Sequence, residues 1–391
     1  MSFNQAQQEA VSHNEGPCLV LAGPGSGKTL TIVGRIQKLI QTYHVSPEEI
    51  LVITFTKYAA VEMKNRFFSA MKGTRPAVTF GTFHGIYYGI LKWAYRFGPE
   101  NILSEEEKRQ MLLQIVNRKE IDEFEEEDFL KEIISEIGIV KNNGLKIEEY
   151  ETTICGKETF REIYREYERK RNEERKIDFD DMLLLCRDLF IKRPDILKKW
   201  QEKFRYILID EFQDINDIQY QLVQKWNESG KNLFVIGDPD QSIYGFRGSS
   251  GRCFERLEED SPDINIIRLV QNYRSSPEIL QTAVPVIEHN PGKPRLLTPN
   301  QTSGIAVRLV QTADDFSEGI WIAKEISRMT GGVDMLETQS LGHTQHMRSF
   351  SDIAVLCRTH RQLELIEKCL RHDDIPCIIS GREDFLNTDD V

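Results

Sequence analysis

The sequence predicts an α/β protein in which a parallel sheet, covered by helices, is interrupted by a helical insertion and followed by a second α/β unit. Three observations predict it. Residues 1 to about 85 alternate helical patterns with short apolar runs, Cys18-Leu19-Val20-Leu21-Ala22 and Ile50-Leu51-Val52-Ile53. Strands buried on both faces have this texture. From 86 to 203 the chain is charged and helical, as in Glu162 to Lys176, with no strand-like run. Strand texture then returns at Tyr206-Ile207-Leu208-Ile209 and Leu233-Phe234-Val235-Ile236-Gly237. In the second unit, from about 280, Ile305–Val310 and Ile353–Cys357 are expected strands, and Phe316–Met329 and Gln362–Arg371 expected helices. Between them, the polar stretch Gly331–Ser349 is expected to be a surface loop.

The bulk numbers bound the chemistry. A chain of 391 residues, 40% hydrophobic and 29% charged, has room for two to three domains and is not a disordered composition. No apolar stretch reaches the roughly 20 residues that span a bilayer. Met1 to Gln5 lacks the basic and apolar regions of a secretory signal, so a cytoplasmic protein without a membrane partner is expected. Seven scattered cysteines with no CxxC pair argue for free thiols over disulfides or zinc. A net charge of −12 excludes a uniformly basic nucleic-acid binder and leaves any such contact to local surface. Much of the acidity lies in Glu120–Glu136, expected to be a solvated helix face.

The chemistry begins at Ala22-Gly23-Pro24-Gly25-Ser26-Gly27-Lys28-Thr29, after a strand and at the start of a helix. Backbone N–H groups of such a turn wrap phosphate oxygens, and the helix N-terminus adds partial positive charge. Lys28 reaches the β/γ-phosphates and the Thr29 hydroxyl binds Mg²⁺. Ala22 stands where the pattern has its first glycine. The second half of the site is Ile207-Leu208-Ile209-Asp210-Glu211, two acids at the end of an apolar strand. Asp210 is expected to hold Mg²⁺ and Glu211 to orient and deprotonate the attacking water, which makes the site an ATPase rather than a kinase.

With these residues the sequence resembles the superfamily-one DNA helicases of the UvrD, Rep and PcrA type. Phe3-Asn4-Gln5-Ala6-Gln7-Gln8 resembles the family's adenine-reading motif. Asp210-Glu211-Phe212-Gln213-Asp214 matches its DEFQD, Gly237-Asp238-Pro239-Asp240-Gln241-Ser242-Ile243-Tyr244-Gly245-Phe246-Arg247-Gly248 its motif III, and Gln271-Asn272-Tyr273-Arg274-Ser275-Ser276 its motif IV. The resemblance implies a P-loop, RecA-like motor domain over 1–85 and 204–279, a helical insertion over 86–203, and part of a second RecA-like domain over 280–391. Gln7 is then expected to hydrogen-bond adenine and Tyr273 to stack on it, with Arg35 nearby. Gln241 and Arg274 are expected to approach the γ-phosphate. On the single-stranded DNA side, Phe55, Tyr244 and Phe246 are expected to stack on bases, while Thr56, His84 and Arg247 contact the strand. Phe246 replaces the family's usual tryptophan. Asp178-Phe179-Asp180-Asp181-Met182 also resembles a family segment, with a structural or coupling role expected.

What the resemblance implies is ATP- and Mg²⁺-dependent translocation along single strands, 3′ to 5′, with unwinding at duplex junctions in repair or replication. The family's motifs V and VI, the latter carrying an arginine that acts on the γ-phosphate, do not occur in these 391 residues. Gly381–Phe385 resembles the segment before the family's other large insertion. The expectation is therefore a truncated motor that binds nucleotide weakly, hydrolyses it slowly and does not unwind DNA alone. Two rivals are the motor of a helicase–nuclease and a nucleotide-gated binding module that does not hydrolyse. Glu211 and Gln241 argue against the second, since a pure switch does not need both water activation and phosphate sensing.

Overall fold

The computed structural model describes residues 3–118, 126–228, 232–245, 249, 251–290, 297–331 and 348–379. The chain divides into two compact units, 1–306 and 307–391. In chain order the first unit holds α1 (Gln5–Ser12), β1 (Cys18–Ala22), α2 (Lys28–Gln41), β2 (Ile50–Thr54), α3 (Lys57–Ala70), β3 (Thr79–Thr82) and α4 (Phe83–Tyr95). There follow α5 (Glu105–Asn117), α6 (Glu126–Asn142), α7 (Lys157–Glu173), α8 (Phe179–Lys192) and α9 (Pro194–Lys203). The sheet resumes with β4 (Tyr206–Ile209), α10 (Asp217–Asn227), β5 (Asn232–Gly237), α11 (Cys253–Asp260) and β6 (Asn265–Leu269). The unit closes with β7 (Gln271–Asn272), α12 (Pro277–Ile287) and β8 (Thr298–Pro299).

The six strands β3-β2-β4-β5-β1-β6 pair in parallel in that order. The four inner strands are nearly continuous apolar runs, as burial on both faces requires. One face packs Val20, Val52, Leu208 and Ile236 against α2 and α3. The other packs Leu19, Leu51, Ile207 and Val235 against α4, α8 and α10. The helical stretch thus contributes α4, α8 and α9 to the sheet's own core, whereas α5–α7 share a separate one built on Leu112, Ile133 and Ile163.

Parallel strands deliver their ligands at the carboxyl ends. β1 ends at the Gly-rich turn, β2 at Phe55, β3 at the start of α4 with His84, β4 at Asp210 and β5 at Asp238. The helices that follow are fixed by side-chain caps: Thr56 on α3, Thr82 on α4, Asp178 on α8 and Asn216 on α10.

Three expectations need correction or qualification. Glu136, in the run expected to be solvated, is buried and accepts bonds from the Thr153 amide and hydroxyl at 3.0 Å. Residues 119–125 of that run lie outside the described residues. In the second unit, α13 (Asp315–Met329) and α14 (His360–His372) pack through Ala323, Ile326, Ile366 and Leu370. The flanking segments 305–310 and 353–357, expected as strands, have no strand pairing among the described residues, and Leu309 and Leu356 are 99% and 93% exposed. A strand exists only through a neighbour's hydrogen bonds, and an apolar run does not supply one. Residues 332–347 and 380–391, which include most of the expected loop and Gly381–Phe385, lie outside the described residues.

Candidate functional site

The turn after β1 is shaped as a phosphate cradle. Ala22 closes the strand, buried, and Gly23 to Gly27 form the turn into α2. Gly25 (φ +65°) and Gly27 (φ +86°) lie in the left-handed region. A Cβ on Gly25 would stand 2.7 Å from Arg274 Cβ and 2.9 Å from Asn272 Nδ2, and one on Gly27 2.7 Å from Gln7 Nε2. Backbone conformation and close approach both demand glycine there. Ser26 ties the turn to itself, its hydroxyl donating to the Gly23 carbonyl at 2.6 Å.

Two segments hold this turn from outside. Asn4 and Gln7 form a capping box on α1, and Gln7 Nε2 donates to the Ser26 carbonyl at 2.8 Å. From the other side Asn272 Nδ2 donates to the Pro24 carbonyl at 2.7 Å, and the Tyr273 amide to the Gly25 carbonyl at 2.9 Å. The Tyr273 ring joins the two segments: its hydroxyl accepts from Asn4 Nδ2 and donates to Gln271 Oε1, both at 2.8 Å. Gln7, Tyr273 and Arg274, some 266 residues apart (273 − 7), thus meet around one turn. Arg35 does not join them. It is 0% exposed, packs over the Phe234 ring at 4.6 Å and donates to the His13 carbonyl. Its place on the inner face of α2 commits it to the core, where burial lowers its pKa to about 10.

At the end of β4, Asp210 is 7% exposed and its Oδ1 has no hydrogen-bond partner among the described residues. Burial, and then the adjacent Glu211 carboxylate, push Asp210 up to about 7 against the pull of Lys28. Glu211 takes a left-handed backbone (φ 50°, ψ 49°), strain on the order of 1–3 kcal/mol for a non-glycine residue. It pairs with Lys28 at 2.8 Å. Asp214 is also buried, its Oδ1 without a partner among the described residues, and burial followed by Glu211 raises it to about 6. Unsatisfied buried oxygens call for an explanation, and two of them near the Gly-rich turn suit a cation held by oxygen ligands.

These acids line a cavity of about 240 Å³ together with Gln213, Gln241, Thr54, Phe55, Thr56 and Tyr244. Phe55 and Tyr244 face each other with ring centroids 4.8 Å apart. Thr56 spends its hydroxyl on the α3 cap, accepting from the Ala59 amide at 3.1 Å. His84 stands in the first turn of α4 with its ring 6.1 Å from Phe179, edge-on. Burial lowers its pKa while Asp180 opposes the shift. Phe246 and Arg247 lie outside the described residues.

Sequence reasoning did not single out Asn4, Gln213, Asp214, Asp238 or Asn272, although all five stand inside the quoted motifs. The available signal was chemical: a polar side chain directly beside a ligand-bearing strand end needs a partner once buried.

The comparisons with known proteins run along nearly the whole chain. Residues 3–262 match the UvrD/REP helicase N-terminal domain, and residues 267–391 the UvrD-like helicase C-terminal domain. An ATP-dependent DNA helicase PcrA from Bacillus subtilis is 34% identical over 396 residues, covering 100% of this chain and 52% of that protein. PcrA from Leuconostoc citreum is 33% identical over 400 residues, covering 100% and 51%. PcrA from Staphylococcus aureus is 33% identical over 401 residues, covering 100% and 52%. The chain spans about half the length of these curated relatives.

Proposed function

The chain belongs to the UvrD/Rep helicase family, and from that premise we propose that it carries the ATP-hydrolysing half-site and a stretch of the DNA track of a helicase. The protein it represents moves 3′ to 5′ along single-stranded DNA and unwinds duplex at junctions, in repair or replication. In this proposal residues 1–85 and 204–279 are the first motor domain, 86–203 its insertion, and 280–391 part of the second.

One observation carries the reading: the catalytic acids and the aromatic pair line the same cavity. Phosphate chemistry at Asp210 and Glu211 and base stacking at Phe55 and Tyr244 would therefore take place side by side, as coupling of hydrolysis to movement along DNA requires. The Gly-rich turn and Lys28 hold the β/γ-phosphates. Glu211, the only one of the three acids with substantial side-chain exposure (35%), takes the proton of the attacking water. Gln241 and Arg274 face the terminal phosphate, while Gln7 and Tyr273 hold the base. Thr29 and Asp210 supply the oxygen donors for Mg²⁺, and the unpartnered Asp210 Oδ1 fits that part. Magnesium held there would offset charge on the phosphates.

The test is ATP hydrolysis by the purified chain with and without single-stranded DNA, beside a Glu211→Gln control. Nucleotide binding with slow hydrolysis that the control lowers further, by about 10²-fold or more, is expected for a general base in a half-site. Strong DNA-stimulated turnover would mean that the chain is self-sufficient. Failure of the chain to bind ATP, or hydrolysis untouched by the substitution, would remove the proposal.

A further inference from the structure

We infer that Gln213 is a positioning residue that locks the water-activating carboxylate to the phosphate-sensing turn through its single side-chain amide. This rests on the roles proposed above for Glu211 and Gln241. Gln213 is 2% exposed, in the tight turn that follows Glu211. Its Nε2 donates to Glu211 Oε2 at 2.7 Å, and its Oε1 accepts from the Asp238 backbone N–H at 3.0 Å. Asp238 in turn holds the sensor: its Oδ2 accepts from Gln241 Nε2 at 2.8 Å. A second bond ties the same two turns, the Ser242 hydroxyl donating to the Gln213 carbonyl at 3.1 Å. An unbroken run of direct contacts thus leads from Lys28 through Glu211, Gln213 and Asp238 to Gln241.

Glutamine is the side chain this place requires. The bridge needs a donor and an acceptor on one planar group with this reach. Glutamate keeps the acceptor for Asp238 but sets a second negative charge against Glu211, alanine removes both bonds, and asparagine is one methylene short. The amide is also confined: a Cβ built on Gly237 would lie 2.5 Å from Gln213 Oε1.

The arrangement answers a difficulty in the proposed chemistry. Glu211 Oε2 accepts from Lys28 and from Gln213. Lys28 is also the phosphate ligand, and an ammonium that turns toward a phosphate loosens its hold on the carboxylate. The bond from Gln213 does not depend on Lys28, so Glu211 keeps its aim while Lys28 serves the phosphates. The same amide makes the turn at 239–241 and the carboxylate move together. Tyr244 follows that turn and faces Phe55, so displacement of the aromatic pair reaches the water-activating group through Gln213.

The test uses the full chain in single-turnover ATP hydrolysis, with affinity read separately from a fluorescent ATP analogue. Gln213→Ala and the isosteric Gln213→Glu are each expected to cut the hydrolysis rate constant about 10- to 100-fold, part of what a positioned general base supplies. The analogue's Kd is expected to stay within about threefold, because substrate-binding groups are left in place. The proposal is overturned if Gln213→Glu hydrolyses at the unaltered rate. It is also overturned if affinity falls as far as the rate, which marks a structural bridge only. Failure of the underlying site reading looks different. Glu211→Gln would then hydrolyse normally, or the unaltered chain would show no turnover at about 10⁻⁴ s⁻¹, the order of an unaided P-loop GTPase; the proposal falls with either.

Discussion

Lys141 on α6 and Asp210 after β4 are both buried charges, 1% and 7% exposed, in opposite circumstances. Lys141 Nζ meets Asp181 Oδ1 and Glu168 Oε1 at 2.7 Å and Asp178 Oδ2 at 2.9 Å. The Tyr167 hydroxyl donates to Asp178 at 2.7 Å, and Arg171 Nε reaches Asp181 at 2.9 Å. Burial works against the charged form of Asp178, yet the Lys141 and Lys108 ammonium groups outweigh it and hold the carboxyl below its ordinary range. Asp210 has a partly exposed lysine nearby, a like charge next to it and an unpartnered oxygen. Where charges are fully paired, the cluster is architecture, fixing α6 and α7 onto α8. Where oxygens are left bare beside the Gly-rich turn, they suit the cation proposed above.

The comparison breaks first at Lys141. Lys141→Met leaves two buried carboxylates, Asp178 and Asp181, and the partly exposed Glu168 against a missing cation and is expected to cost about 3–5 kcal/mol in denaturant unfolding. An unchanged midpoint would mean the cluster is not the joint described here.

Asp210→Asn is expected to act in the opposite sense. A carboxyl raised from 3.8 to about 7 binds its proton more tightly in the folded chain than in the unfolded one. The stability it contributes is fully present below about pH 4 and is lost as pH rises through about 7. Relative to the substituted chain, the unaltered one should therefore lose on the order of 2–4 kcal/mol between pH 4 and 7.5. Paired unfolding curves at the two pH values check this, and a variant less stable than the parent at pH 7.5 would contradict it.

The smallest effect belongs to a pair outside both clusters. Arg169 and Glu173 meet at 2.8 Å one turn apart on α7, more than half exposed. Arg169→Ala should shift unfolding by no more than about 0.5 kcal/mol, which calibrates what an ion pair is worth without burial.

Legibility in the sequence followed burial. The inner strands β1, β2, β4 and β5 were readable as continuous apolar runs because both faces are covered. The edge strands Thr79-Phe80-Gly81-Thr82 and Asn265–Leu269 were not, since their partial burial leaves no such run. Conversely, the apolar segment 305–310 suggested a strand but lacks strand pairing among the described residues. Arg35 shows the same limit at the site: sequence placed it two turns beyond Lys28, but only packing shows that its side chain lies over Phe234.

By itself the sequence determined what is local: the Gly-rich turn between a strand and a helix, the paired acids closing an apolar run, the caps that start helices. Each is set by residues a few positions apart. Tertiary structure alone decided which distant segments share the cavity. Gln213 reaches Asp238 because β4 lies beside β5, and Asn4 reaches Tyr273 because α1 and the segment after β7 clasp one turn from two sides. Hydrogen bonds of that kind depend on strand order and register, and those follow from burying the whole sheet rather than from any one stretch of it.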